Sequence, residues 1–407
     1  MMTLSLITTL TSCEEESDFH QDPTPEILVT HADTVAAMAS YKTVLTHEAG
    51  KGFPIVIMAD GYTATDISNG TYAKAVNKAV EALFSKEPMA SLKPYIDIYS
   101  VEAASRKSGV SAKKSDTAFR TYFPDIAEST QINGDSMTVM QCADKALQKL
   151  AGMTTTDSYR HLRNKGMVIV LLNSSTYAGV TYFFNANMVQ AEGRPLGTAI
   201  SYIPVNATLN VAGKYGYKGD AFPMLIQHEA VGHGIGKLAD EYYYTDILTH
   251  PEYLAPTEAE AKGFQNFFEG GYFRNVHYDP TAMGDHHVEE AEWIYPFTQD
   301  AHYAGEKLAW YTGAYVFMTK FYRPTFYSIM NATTDTRNSE FNVPSRATIY
   351  QNIMSVAVSD WKWNYDDFAA FDRLANIPST SAKGVIMPEE DRTTPMAGGR
   401  QLAHPIY

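Results

Sequence analysis

Residues 228 to 242, HEAVGHGIGKLADEY, constrain this chain more than any other stretch. Two histidines flank a glutamate (His228, Glu229, His233), glycines follow at Gly234 and Gly236, and the acids Asp240 and Glu241 close the run. A helical zinc site needs imidazoles on one face, a carboxylate able to activate a metal-bound water, and a third ligand delivered where the chain turns back. This run supplies those groups in that order.

The spacing is unusual. In HExxH the imidazoles lie four residues apart, about 40° around a helix that turns about 100° per residue, so both reach one ion. Here they lie five apart, and on an ideal helix that is about 140°, too wide for a shared ion. The spacing therefore predicts a loosened winding, for instance a one-residue π-bulge, with Gly232 as the residue that tolerates it. Glu229 is the expected general base, taking a proton from the metal-bound water and passing it to the leaving amine. Asp240 is the expected third ligand, Glu241 is an alternative ligand or a carboxylate behind the site, and Glu258 or Glu269 are more remote alternatives. The competing account is a buried helix that merely happens to hold two histidines.

HEAVGH resembles the HExxGH motif of the dipeptidyl peptidase III family, which binds zinc at this spacing and draws its third ligand from a separate helix. From His233 onward the run is similar to metzincin-like peptidases, in which xxG follows the second histidine and lets the chain leave the helix to bring a third ligand to the metal; Gly236 stands at that position. The whole run, with its LADEY ending, resembles the bacterial IgA-peptidase family of zinc metallopeptidases, from whose commoner HExxH form it departs by one extra residue before His233. The strand FPIVIMADGYT (53 to 63) and the loop SRKSGVS (105 to 111) are similar to that family's start, and NVPSRATIYQNIM (342 to 354) to its closing helix. RPTFYSIM (323 to 330) resembles its RPxxxSIM segment, and SIM is the core of an astacin-type Met-turn, which implies Met330 as an apolar floor beneath the metal. In astacin-like enzymes a tyrosine two residues after that methionine stabilises the oxyanion, but Ala332 stands there. Tyr322, Tyr327 or the metal alone is then expected to serve.

The resemblance implies an α/β, metzincin-like domain with a twisted, mostly parallel sheet, an antiparallel edge strand, an active-site helix and a Met-turn. Independently, FPIVIMADGYT, YIDIYSVEA (95 to 103) and MVIVLLNSSTYAG (167 to 179) read as strands, with helices at about 71 to 86 and 136 to 151. The order β-α-β favours parallel pairing. TAISYIPVN (198 to 206) alternates like an edge strand that could bind substrate backbone, and the site helix is expected to begin near Asp220 as N-cap. Residues 251 to 300 read as irregular loops. His286 and His287 are taken as loop residues, because adjacent residues rarely share an ion.

At 407 residues, 45% of them hydrophobic, the chain can bury one large core or two smaller ones. A net charge of −14 argues against nucleic acid or an anionic membrane surface as partner, since either would repel it. Cys13 and Cys142 are the only cysteines, so a cysteine-rich zinc site is excluded, and Cys142 reads as a small buried hydrophobe. LTSC, ending at Cys13, resembles a bacterial lipobox with Cys13 as the lipidated residue. The first basic residue is Lys42, so the basic start of a signal peptide is missing and the true start is expected upstream.

The expected organisation is thus a truncated lipoprotein signal (1 to 13), a polar tether (14 to 45), a zinc peptidase domain (46 to 385) and a C-terminal tail (386 to 407). The expected cofactor is Zn2+. The expected partners are extracellular protein or peptide substrates, an immunoglobulin or another host glycoprotein among them, with no nucleic acid and with membrane contact only through the lipid. Two alternatives stand beside this reading: a zinc exopeptidase like dipeptidyl peptidase III, and a non-enzymatic surface lipoprotein that binds glycan or protein.

Overall fold

A computed structural model of the chain describes residues 30–111, 117–124, 132–154, 166–184, 198–281, 294–375 and 404–406. Cys13, His286 and His287 lie outside them. The framework is a seven-stranded sheet of order β1-β3-β2-β4-β6-β5-β12. Its strands are β1 (Ser40–Leu45), β2 (Phe53–Asp60), β3 (Ile96–Glu102), β4 (Met167–Leu172), β5 (Val180–Phe184), β6 (Ala199–Pro204) and, far along the chain, β12 (His404–Ile406). Four neighbouring pairs run parallel (β3/β2, β2/β4, β4/β6, β5/β12), while β1/β3 and β6/β5 run antiparallel.

The central strands are apolar on both sides because both faces are covered. Along β2, Ile55, Ile57 and Ala59 join one core while Val56 and Met58 join the other. Along β4, Met167, Ile169 and Leu171 are divided in the same way from Val168, Val170 and Leu172. Helices α1 (His31–Met38) and α5 (Ser136–Leu150), the latter carrying buried Cys142, supply the second core. The first core lies against α3 (Thr71–Leu83), the site helix and a closing helix, Val343–Ala357. Between β2 and α3 runs the short α2 (Ala64–Ser68), and α4 (Met89–Leu92) leads towards β3. Full burial of one such aliphatic side chain contributes about 1.5–3 kcal/mol, so a two-faced strand anchors whatever is attached to its ends.

Four expectations change. TAISYIPVN is not an edge: all six residues of β6 are buried, and the strand is flanked by β4 and by the antiparallel β5, beyond which β12 takes the outward position. Residues 31 to 45, read as tether, form α1 and β1. A Thr30/Asp33 capping box starts the helix, and β1 pairs with β3. Within 251 to 300 a helix, Glu258–Glu269, is set by a Thr257/Glu260 capping box and packs Ala261 and Phe264 inward. The expected tail contributes β12 at 404–406.

Among the described residues two small sheets accompany the large one: a hairpin of β7 (Thr208–Asn210) with β8 (Lys218–Asp220), and a three-stranded sheet of order β10-β11-β9, from β9 (His277–Tyr278), β10 (Tyr311–Ala314) and β11 (Phe317–Arg323). Among the described residues, no helix is long and apolar enough to cross a membrane.

Candidate metal centre

A short α-helical turn, Phe222–Leu225, leads into a ten-residue π-helix, Ile226–Ile235. Asp220 is the last residue of β8 rather than the N-cap, which falls on Ala221; its carboxylate still accepts the Phe222 N–H at 3.1 Å. The i→i+5 winding, seen where the Gly236 N–H reaches the Val231 carbonyl at 2.8 Å, brings residues five apart onto one face. Loosening extends well beyond a single bulge, and it cancels the misfit of the histidine spacing. The rings of His228 and His233 stand 4.9 Å apart at 85°.

Close packing holds this winding. A methyl group on Gly232 would collide with the Met330 sulfur, and one on Gly234 would come within 2.5 Å of the Met167 sulfur. Gln227 donates to the Ala82 carbonyl at the end of α3, and Asn352 of the closing helix donates to the Ile235 carbonyl at 2.9 Å. The chain leaves the helix at Lys237 (φ 53°) and not at Gly236, which stays helical (φ −70°). Gly236 is needed for space, since a Cβ there would lie 2.8 Å from the Gly232 carbonyl. Lys237 is itself buried, which lowers its ammonium to about 7, and its Nζ donates to the Gly234 carbonyl at 2.5 Å.

Beyond that turn, Asp240 returns to the histidines. Its Oδ1 is 3.1 Å from His228 Nε2 and 3.2 Å from His233 Nε2. The Nδ1 of His228 lies 2.8 Å from the Ile329 carbonyl, and the Nδ1 of His233 lies 2.8 Å from the Leu238 carbonyl. A carbonyl only accepts, so in the neutral rings each Nδ1 carries the proton and each Nε2 lone pair faces Asp240. A tetrahedral ion with bonds of about 2.0–2.2 Å spans ligand-to-ligand edges of about 3.3–3.6 Å, a few tenths of an ångström wider than these separations. Among the described residues this is the one group of three whose donor atoms all lie within 4.8 Å of one another, and all three are buried.

The electrostatics of the cluster favour a cation. Burial alone would pull the His233 imidazole down, but the charge and hydrogen bond of Asp240, with the charge of Glu229 added, lift it to about 9. Burial likewise pushes the Asp240 carboxyl up, and the two imidazoles more than offset that, holding it below its ordinary value. The Tyr242 phenol also hydrogen-bonds to Asp240, and burial raises the phenol far above its usual range. Two nitrogen donors and one carboxylate oxygen are a set that a zinc ion accepts.

Glu229 is 2% exposed and stands beside the cluster. Its Oε2 accepts from Thr181 Oγ1 at 2.8 Å, and Gly179 backs its stem. Met330 is fully buried in a turn closed by the Asn331 N–H to the Ser328 carbonyl, and its own carbonyl accepts the Glu241 N–H at 2.6 Å. Tyr322 packs on Trp310, and Tyr327 packs on Phe326 and Arg337. A different phenol, Tyr177, senses the charge of Glu229 and hydrogen-bonds Thr333, three residues beyond Met330.

Glu241 turns away from the imidazoles. Its carboxylate accepts from Asn275 at 2.9 Å and from Asn342 at 3.0 Å, and Asn342 at the same time caps the closing helix through Ser345. Glu258 and Glu269 lie on their own helix and do not join the cluster. Sequence reasoning missed Thr181, Ser201 and Tyr242 at this site. Tyr242 ends the LADEY string and was in view, whereas nothing in VTYFF marks Thr181.

The family model described as IgA Peptidase M64 matches residues 45–266, which is more than half of the chain and takes in β2, the site helix and Asp240. No curated protein matches the chain. The chain belongs to the IgA peptidase M64 family of metallopeptidases.

Proposed function

We propose that the chain is a zinc-dependent peptidase that hydrolyses peptide bonds of extracellular proteins, with His228, His233 and Asp240 as metal ligands and Glu229 as general base. The observation that carries this reading is the approach of one Asp240 oxygen to both Nε2 atoms, with the Glu229 carboxylate near enough for its charge to act on His233. A zinc ion held there supplies a Lewis acid and a water acidified towards a pKa of about 7.

The residues of the chain do the rest. Glu229 takes the proton of the attacking water and delivers it to the nitrogen of the departing amine. The carbonyls of Ile329 and Leu238 keep the imidazoles oriented, and Tyr242 fixes Asp240. Met330, wedged against Gly232, forms the apolar floor.

Glu229→Ala tests the assignment: the variant is expected to keep its metal and its melting temperature while hydrolysis of an unstructured protein substrate is lost. Turnover equal to the parent would refute the mechanism. Products from internal bonds support an endopeptidase, and dipeptides released from one end support the alternative suggested by HEAVGH. The extracellular setting rests on Cys13 within LTSC. Fatty-acid labelling in bacterial cells is expected to mark the chain and to vanish in Cys13→Ser; label persisting in that variant would rule out this anchor.

A further inference from the structure

We infer that Thr181, backed by Ser201, is a positioning residue that fixes the Glu229 carboxylate in its working orientation. The inference rests on Glu229 being the base proposed above. Thr181 lies in β5 and Ser201 directly across from it in β6. Their hydroxyl oxygens are 2.7 Å apart, and both residues are buried. Thr181 Oγ1 is 2.8 Å from Glu229 Oε2 and 2.9 Å from the Glu229 carbonyl, and Ser201 Oγ is 3.2 Å from that same carbonyl.

The proton count restricts how these contacts are used. Each hydroxyl has a single hydrogen to give. An ionised Glu229 carboxylate can only accept, so the Thr181 hydrogen goes to Oε2. Ser201 then donates either to Thr181, which supports the donor, or to the Glu229 carbonyl, which ties the backbone of the base to β6 as well; either way both hydroxyl hydrogens are used. With Oε2 held by a charge-assisted bond, Oε1 is the oxygen left for the water. A Cβ at Gly179, just before β5, would approach Glu229 Cγ to 2.8 Å, so a glycine two residues before Thr181 is what lets this segment come so close to the base. The segment from Gly179 to Thr181 thus offers the base the space of a missing side chain and a hydroxyl donor. A reactive group displaced by about 1 Å can lose on the order of 10²-fold in rate, which is the scale expected for a freed carboxylate.

The test is to measure kcat, KM, zinc per chain and melting temperature for the parent, Thr181→Val, Thr181→Ser, Ser201→Ala and Glu229→Ala. Thr181→Val, which keeps the shape and removes the donor, is expected to lower kcat roughly 10–100-fold with KM and zinc content unchanged. Thr181→Ser is expected to restore most of kcat, and Ser201→Ala to fall between the two. Should valine prevent folding, Thr181→Ala removes the same donor with less crowding.

Parent-like kcat in Thr181→Val would overturn the inference, as would a loss that tracks zinc content or melting temperature, or one that serine fails to rescue. The two proposals fail separately. An inactive Glu229→Ala with an unaffected Thr181→Val removes only the positioning role, whereas an active Glu229→Ala removes the base and that role with it.

Discussion

The segment Leu238 to Tyr242 has two sides, and the adjacent acids Asp240 and Glu241 have opposite fates on them. Both are buried, and burial pushes both carboxyls up. Asp240 faces two imidazoles, which more than cancel that push and leave it an anion. Glu241 faces the amides of Asn275 and Asn342, which with a weaker pull from the Arg323 charge only soften that push, and it rises to about 7. Amide dipoles stabilise a buried carboxylate less than ionisable imidazoles do, and the same loop therefore presents one carboxylate fit for a cation and one that serves as a peg. Neighbours, rather than residue type, decide which is which.

Paired substitutions can break this contrast. Asp240→Asn is expected to strip the metal and abolish hydrolysis, while Glu241→Gln keeps close to the parent's zinc content with activity within a few-fold. Zinc analysis of the two variants checks this, and loss of metal from Glu241→Gln would reverse the assignment. A smaller effect concerns pH. The carboxyl of Glu241, raised from 4.5 to about 7 in the fold, binds a proton there that the unfolded chain releases. Its contribution to stability is thus fully present below 4.5 and is lost as pH rises to about 7, at a slope on the order of 1 kcal/mol per pH unit. Denaturant melts across that window should show a shallower fall for Glu241→Gln than for the parent, and parallel curves would place the titration elsewhere.

Much of the site was legible before the fold. HEAVGH carries its own misfit, five residues where an α-helix wants four, and the ten-residue π-winding is the physical answer to it. Runs such as FPIVIMAD and MVIVLL read as strands because both of their faces are buried, leaving no polar residue to interrupt the pattern. Less could be read where the cause is tertiary. Gly236 promised the turn, but the left-handed residue is Lys237, whose strain is sustained by the Lys237 N–H reaching the His233 carbonyl, the Leu238 N–H reaching the Gly232 carbonyl and a buried ammonium. VTYFF is too short to declare itself, and it gains its place only by pairing with β6 and β12. Two elements were missed although their capping boxes, Thr30/Asp33 and Thr257/Glu260, were plain in the sequence, because their surroundings are rich in acids and turn residues.

A π-wound helix that lets imidazoles five positions apart share one ion with Asp240 leaves a signature in X-ray absorption at the zinc edge of the purified protein. About one zinc per chain is expected, with a first shell of two imidazole nitrogens and low-Z oxygens at about 2.0–2.2 Å, the imidazole signature falling to one ring in His233→Ala. A parent spectrum showing a single imidazole, or no zinc at all, would contradict that sharing.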